Sequence, residues 1–114
     1  MDAGLISRFD VLQLAIDSGC DERGIKVMLK RYVADAEELM EKMEQALRTN
    51  NILGWQHAAK RLREASLVIT ARKLASMCSE ALAVDLLPHV QARPVLYHTQ
   101  KEFALLKAEI STVL

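Results

Sequence analysis

From end to end the chain repeats its apolar residues every three or four positions, and nowhere sustains the two-residue alternation of a half-buried strand. Such a chain buries one stripe of each helix against other helices. "GLISRFDVLQLAIDSG" puts Leu5, Phe9, Leu12 and Ile16 on one side of a short first helix, with Gly19 as its C-terminal stop. Asp21 is placed to cap a second helix running to about Thr49. Its inward stripe is Ile25, Met28, Leu29, Tyr32, Ala36, Leu39, Met43, Ala46 and Leu47, opposite an acidic side of Asp35, Glu37, Glu38, Glu41 and Glu44. Those carboxylates read as a solvated face, the ordinary setting of exposed charge.

"TNN" at 49–51 breaks the pattern and offers Asn50 or Asn51 as the next cap. A third helix then turns Trp55, Ala58, Ala59, Leu62, Ser66 and Ile69 inward, and His57, Lys60, Arg61 and Glu64 outward. Leu67, Val68 and Ile69 make an apolar run that either closes the bundle end, the preferred reading, or rims a binding face. Thr70 is a candidate cap for a fourth helix with Leu74, Met77, Cys78 and Leu82 inward. Pro88 interrupts, 88–94 reads as irregular, and Pro94 suits the first turn of a last helix. Leu96, Phe103, Leu106, Ile110 and Val113 form its buried seam.

The expected architecture is therefore all-α: an antiparallel up-and-down four-helix bundle with a short N-terminal helix, one domain over residues 1–114. Composition narrows the function classes. Zero formal net charge argues against bulk binding to nucleic acid or anionic membranes, and 4% aromatics are too few for a base-stacking platform. No apolar run is long enough to cross a bilayer, and the first residues lack a basic stretch leading into an apolar one, so the expected compartment is the cytoplasm. Cys20 and Cys78 are too isolated for a disulfide framework or a zinc knuckle, and both are expected reduced, Cys78 as a core residue. His89 and His98 have no ligand-like spacing. No cofactor or metal is expected, and no nucleophile–base pair or phosphate loop is visible.

Two stretches carry a resemblance. "IKVMLKRYVADAEELMEKMEQALRTNN" is similar to the first long helix of histidine-containing phosphotransfer (HPt) domains, with its acidic cluster among leucines. "AAKRLREASLVITARKLASMCSEAL" resembles the segment of that family that begins Ala-His-x-Leu-Lys-Gly and ends Leu-Ala-x-x-Cys-x-x-Leu. Two registers are open. One puts Lys60 at the acceptor-histidine position, with Ala59 the small residue before it, Leu62 the core leucine, Arg63 the basic neighbour and Glu64 at the glycine position. Leu74, Ala75 and Cys78 then meet their counterparts. The other makes His57 the acceptor with Lys60 one turn on, but assigns Gln56 to a buried alanine position and shifts the following helix by three residues. Such a shift rotates a site by about 60° and moves it about 4.5 Å. The first register keeps apolar positions apolar and is preferred.

The resemblance implies a bundle that exchanges phosphate between a histidine kinase and a receiver domain through a histidine nucleophile. An imidazole offers a lone pair near neutral pH, whereas an alkylammonium stays protonated. Glutamate in the glycine position adds bulk and negative charge where an acidic receiver pocket must approach. The expectation is thus a module that binds a receiver or histidine-kinase domain through His57, Lys60, Arg61, Arg63, Glu64 and Leu67 without accepting phosphate. The bland account of the same residues is a solvated face held by Lys60–Glu64 and Arg61–Glu64 pairs. Alternatives are true phosphotransfer through His57, and an unrelated helical adaptor or homodimer.

Overall fold

The computed structural model describes residues 8–84 and 89–114; Leu5 and Pro88 lie outside them. All regular structure among the described residues is helical: α1 (Val11–Ser18), α2 (Glu22–Thr49), α3 (Ile52–Val68), α4 (Arg72–Ala83) and α5 (His89–Ser111). α2 packs against α3 and α5, α4 against α3 and α5, and α1 against α2. At about 1.5 Å per residue α2 alone spans some 42 Å, which accounts for the 44 Å long dimension. No helix of the described residues is long and apolar enough to cross a membrane.

The helix ends follow from local chemistry. Asp21 caps α2 by accepting from the Gly24 N–H at 2.9 Å, satisfying a donor that has no partner within the helix. Gly19 closes α1 at φ 68°, and Asn50 closes α2 at φ 56°, both in the left-handed region that these residue types tolerate. Asn51 then caps α3, its side-chain oxygen taking the Gly54 N–H at 3.0 Å. A Cβ on Gly54 would meet the Asn51 side-chain amide at 2.7 Å, so a larger residue there would push the capping side chain aside.

The core is the expected inward set of α2 and α3 with few changes. Met40 joins it, and Met28 is only partly buried. Trp55 is fully buried and donates its indole N–H to the Ala81 carbonyl at 2.8 Å, locking α3 to the last turn of α4. The Tyr32 hydroxyl meets Ser66 Oγ at 2.8 Å in the interior, joining α2 to α3. Burial pushes the Tyr32 phenol well above its ordinary range.

Three expectations fail, each for a definable reason. Leu12 and Ile16 face solvent, while Phe9 and Leu14 are buried. Asp10 is the N-cap of α1, so Phe9 precedes the helix and the apolar phase does not run through it. Thr70 does not cap α4; the N-cap is Ala71, with no side-chain hydrogen bond. Instead Thr70 sits at φ 65°, accepts from the Asp10 N–H at 2.6 Å and donates to the Asp10 carbonyl at 3.3 Å. Pro94 lies inside α5 rather than in its first turn, because the helix already starts at His89, and the part of 88–94 within the described residues is helical. Finally, α5 buries Thr99 and Glu102 along with its apolar seam. Thr99 returns its hydroxyl to the Val95 carbonyl at 2.8 Å, so its polarity is satisfied locally.

Candidate functional site

The rotation of α3 decides which groups it displays. Trp55, Ala58, Ala59, Leu62 and Ser66 are all buried, which fixes the opposite face toward water. That face carries Leu53, Gln56, His57, Lys60, Arg61, Glu64, Leu67 and Val68, all exposed. Lys60 lies near the middle of the row. Leu53 at one end and Leu67 and Val68 at the other are 74%, 53% and 61% exposed. Of the three-residue run, then, only Ile69 closes the core; Leu67 and Val68 stand out from it, which corrects the preferred expectation for them. They follow the last buried turn of α3 on its outer side, so the run straddles the boundary.

Arg63 differs from its neighbours. It is half-buried, and its charge acts on Cys78, which lies in the core under this helix. Burial pushes the Cys78 thiol up to about 12, with Arg63 opposing part of that rise. The exposed positive charge of the row therefore comes from Lys60 and Arg61.

The Lys60–Glu64 and Arg61–Glu64 pairs of the bland account are not formed. Among the described residues no ion pair or hydrogen bond engages the side chains of His57, Lys60, Arg61 or Glu64. Other surface charges behave differently: Glu37 pairs with Lys107, and Glu44 with Arg93 at 2.9 Å. The Arg93 hydrogen bond holds the Glu44 carboxyl below its usual range. On the α3 row, then, Lys60 and Arg61 stand beside Glu64 without forming an ion pair to it.

His57 occupies a junction. On one side it borders a groove of about 280 Å³ between α2 and α3, shared with Asp35, Glu38, Lys42 and Arg61. A second depression continues this groove past Lys42 toward Asn51 and Gly54. On its other side a depression joins His57 to Lys60, Leu53 and Leu82. His98 is remote in kind: it is exposed on α5 with its ring edge-on to Tyr97 at 5.6 Å. No group of three or more His, Cys, Asp or Glu side chains among the described residues could hold a metal ion. The two-sided position of His57 has no signature in residue spacing, whereas Leu67 and Val68 continue the outward period of Lys60, Arg61 and Glu64, a signal that reading 67–69 as one apolar run overlooked.

Comparison with known proteins gives no further constraint: no protein family, curated protein or solved structure matches this chain.

Proposed function

We propose that the chain is a four-helix, HPt-like bundle that docks a receiver or histidine-kinase domain of a two-component relay and does not itself accept phosphate. The observation that carries this reading is the exposed, unpaired ammonium of Lys60 midway along α3, with Arg61 beside it and Glu64 one turn on. Burial of Ala59, Leu62, Leu74, Ala75 and Cys78 supports the register that gives Lys60 the acceptor position. The other register needs Gln56 buried, and it is exposed. The ring of contacts from α2 through α3 and α4 to α5 and back supports the bundle. A fixed cation in that place complements the aspartate cluster of a receiver's phosphorylation pocket, and opposite charges facing each other govern both encounter and register. Its protonated nitrogen has no lone pair with which to attack an aspartyl phosphate.

A second reading keeps His57 as a phosphate acceptor, favoured by its exposure and by the depression it shares with Lys60. One experiment addresses both. Purified receiver and kinase domains are titrated against wild type, Lys60→Glu and His57→Ala, and acid-labile phosphate is followed in parallel. Lys60→Glu is expected to weaken receiver binding at least ~10-fold, with no labile phosphate on any variant. Unchanged affinity in Lys60→Glu removes the docking reading; labile phosphate that disappears in His57→Ala establishes the second.

A further inference from the structure

We propose that α1 and residues 8–10 form a latch: closed, it imposes the left-handed stop at the end of α3; opened, it lets that end go. The regulatory half of the proposal, control of the Leu67–Val68 end of the docking row, rests on the relay reading. The coupling itself does not.

It starts from a residue out of type. Three of the described residues have a positive φ, Gly19 at 68°, Asn50 at 56° and Thr70 at 65°, and each stands just past the end of a helix. At Asn50 two main-chain bonds make the stop: the Asn51 N–H donates to the Ala46 carbonyl at 2.9 Å, and the Asn50 N–H to the Leu47 carbonyl at 3.4 Å. α3 ends the same way, with the Ala71 N–H on the Ser66 carbonyl at 2.8 Å and the Thr70 N–H on the Leu67 carbonyl at 3.1 Å. Glycine and asparagine suit the left-handed position of such a stop; a β-branched residue does not. What holds Thr70 there is its hydroxyl, which accepts from the Asp10 N–H at 2.6 Å and donates to the Asp10 carbonyl at 3.3 Å. Asp10 is the N-cap of α1, and its carbonyl also takes the Leu14 N–H at 2.9 Å. The start of one helix thus fastens the stop of another.

The latch is built to open as a unit. α1 is 8 residues long and buries one side chain, Leu14, and a helix that short does not persist without tertiary support. The rest of its hold lies in Phe9, packed in the core, and in the Arg8 main chain on Glu109. Loss of these few ties frees the Thr70 hydroxyl from both of its partners at once. A threonine without them relaxes to negative φ, and the N–H groups of Thr70 and Ala71 leave the Leu67 and Ser66 carbonyls. The last turn of α3, which displays Leu67 and Val68, then loses its stop. Two arrangements of one turn, each tied to a state of α1, are the bistable element that coupling requires. A partner that docks on the stopped form favours the closed latch, and closure favours docking by the same factor.

Native-state hydrogen exchange of the full chain tests the coupling, with protection factors compared at α1, at positions 70 and 71 and along α3. In the wild type, α1 and positions 70 and 71 are expected to share one opening, with protection within ~3-fold. Phe9→Ala should lower both by a common factor of ~10 or more. Thr70→Gly should move them apart. α1 loses its tie, while glycine holds the left-handed stop unaided, so positions 70 and 71 exceed α1 in protection by ~10-fold or more. A joint that is merely weakened lets both fall together in Thr70→Gly, and that result overturns the proposal. A turn that keeps its wild-type protection in Phe9→Ala does so too. Should Phe9→Ala leave α3 unprotected, Arg8→Ala loosens the same latch through the Glu102 ion pair and is read in the same way. Receiver binding is measured separately, and there Lys60→Glu decides the relay reading. Phe9→Ala keeps Lys60 in place and should weaken receiver binding ~3-fold or more, with Thr70→Gly in the same chain restoring it. Unchanged affinity in Phe9→Ala removes the docking half while the relay reading stands.

Discussion

At the scale of single residues, Cys78 shows how environment sets chemistry. Its side chain is fully buried in α4, and burial raises the thiol to about 12 despite Arg63. In the unfolded chain the thiol ionises near its ordinary value. Between about pH 9 and 12, therefore, the unfolded state loses a proton that the folded state retains, and stability falls as pH rises, by up to ~1.4 kcal/mol per pH unit. Below that window the group contributes no pH dependence. Tyr32, raised for the same reason, acts in the same direction at higher pH. Urea unfolding followed from pH 8 to 10 is expected to show this alkaline decline in the wild type. Cys78→Ala should start about 1–2 kcal/mol lower from the lost packing, with a flatter decline. An unchanged slope would place the ionisation elsewhere.

At the scale of elements, the turn between α3 and α4 and the start of α1 form one joint. Thr70 holds both main-chain groups of Asp10 with one hydroxyl, from a φ of 65° that is costly for a β-branched residue. Thr70→Val keeps the strain and loses the hydroxyl, and is expected to destabilise by about 1–2 kcal/mol. Thr70→Gly loses the same hydroxyl but relieves the backbone, so it should lie ~1 kcal/mol above the valine variant. In both, hydrogen exchange in α1 should speed up relative to α3. Equal stability of the two variants would mean that the backbone there is unstrained. This joint also marks what the amino-acid order discloses. The inward faces of α2 and α3 could be read because burial repeats with the helical period, and the Asp21 cap because capping is local, which also narrowed the α3 cap to Asn50 or Asn51. The role of Thr70 could not, because its partner is 60 positions away. Leu12 and Ile16 misled because the apolar period was carried across a cap, and Pro94 because a proline inside a helix loses a hydrogen bond and crowds the carbonyl four residues back, so residue type alone favours the first turn. In the candidate site, the outward row of α3 was legible. That Lys60, Arg61 and Glu64 leave each other unpaired was not, since i,i+4 spacing permits a pair without compelling one.

At the scale of the whole molecule, the question is what holds α1 when Leu14 is its one buried side chain and Leu12 and Ile16 face water. Part of the answer lies in residues 8–10. Phe9 is buried in the core, and the Arg8 N–H donates to both carboxylate oxygens of Glu109 at 3.0 and 3.2 Å, across 101 positions of chain. The Arg8 Nε stands 3.1 Å from Glu102, a carboxylate 5% exposed, without the alignment of a hydrogen bond, so this contact is ionic. Lys73 approaches the same carboxylate from α4 at 3.6 Å, with its own side chain mostly in water. Removing Arg8 therefore leaves a buried charge with a solvated partner, whereas removing Lys73 leaves it with the more buried one. Breaking a buried pair from one side costs far more than loosening an exposed pair. Arg8→Ala is expected to destabilise by about 1–3 kcal/mol and Lys73→Ala by under ~1 kcal/mol. Replacing Glu102 by Gln in the Arg8→Ala background should recover part of the loss, because the uncompensated charge is gone. Thermal unfolding of the three variants, with hydrogen exchange resolved by helix, checks the scheme: α1 should loosen first while the outward row of α3 keeps its protection. Equal costs for Arg8→Ala and Lys73→Ala would show that the Arg8 side chain adds nothing to this hold, leaving it to Phe9 and Leu14 packing and the main-chain bonds of Arg8 and Asp10.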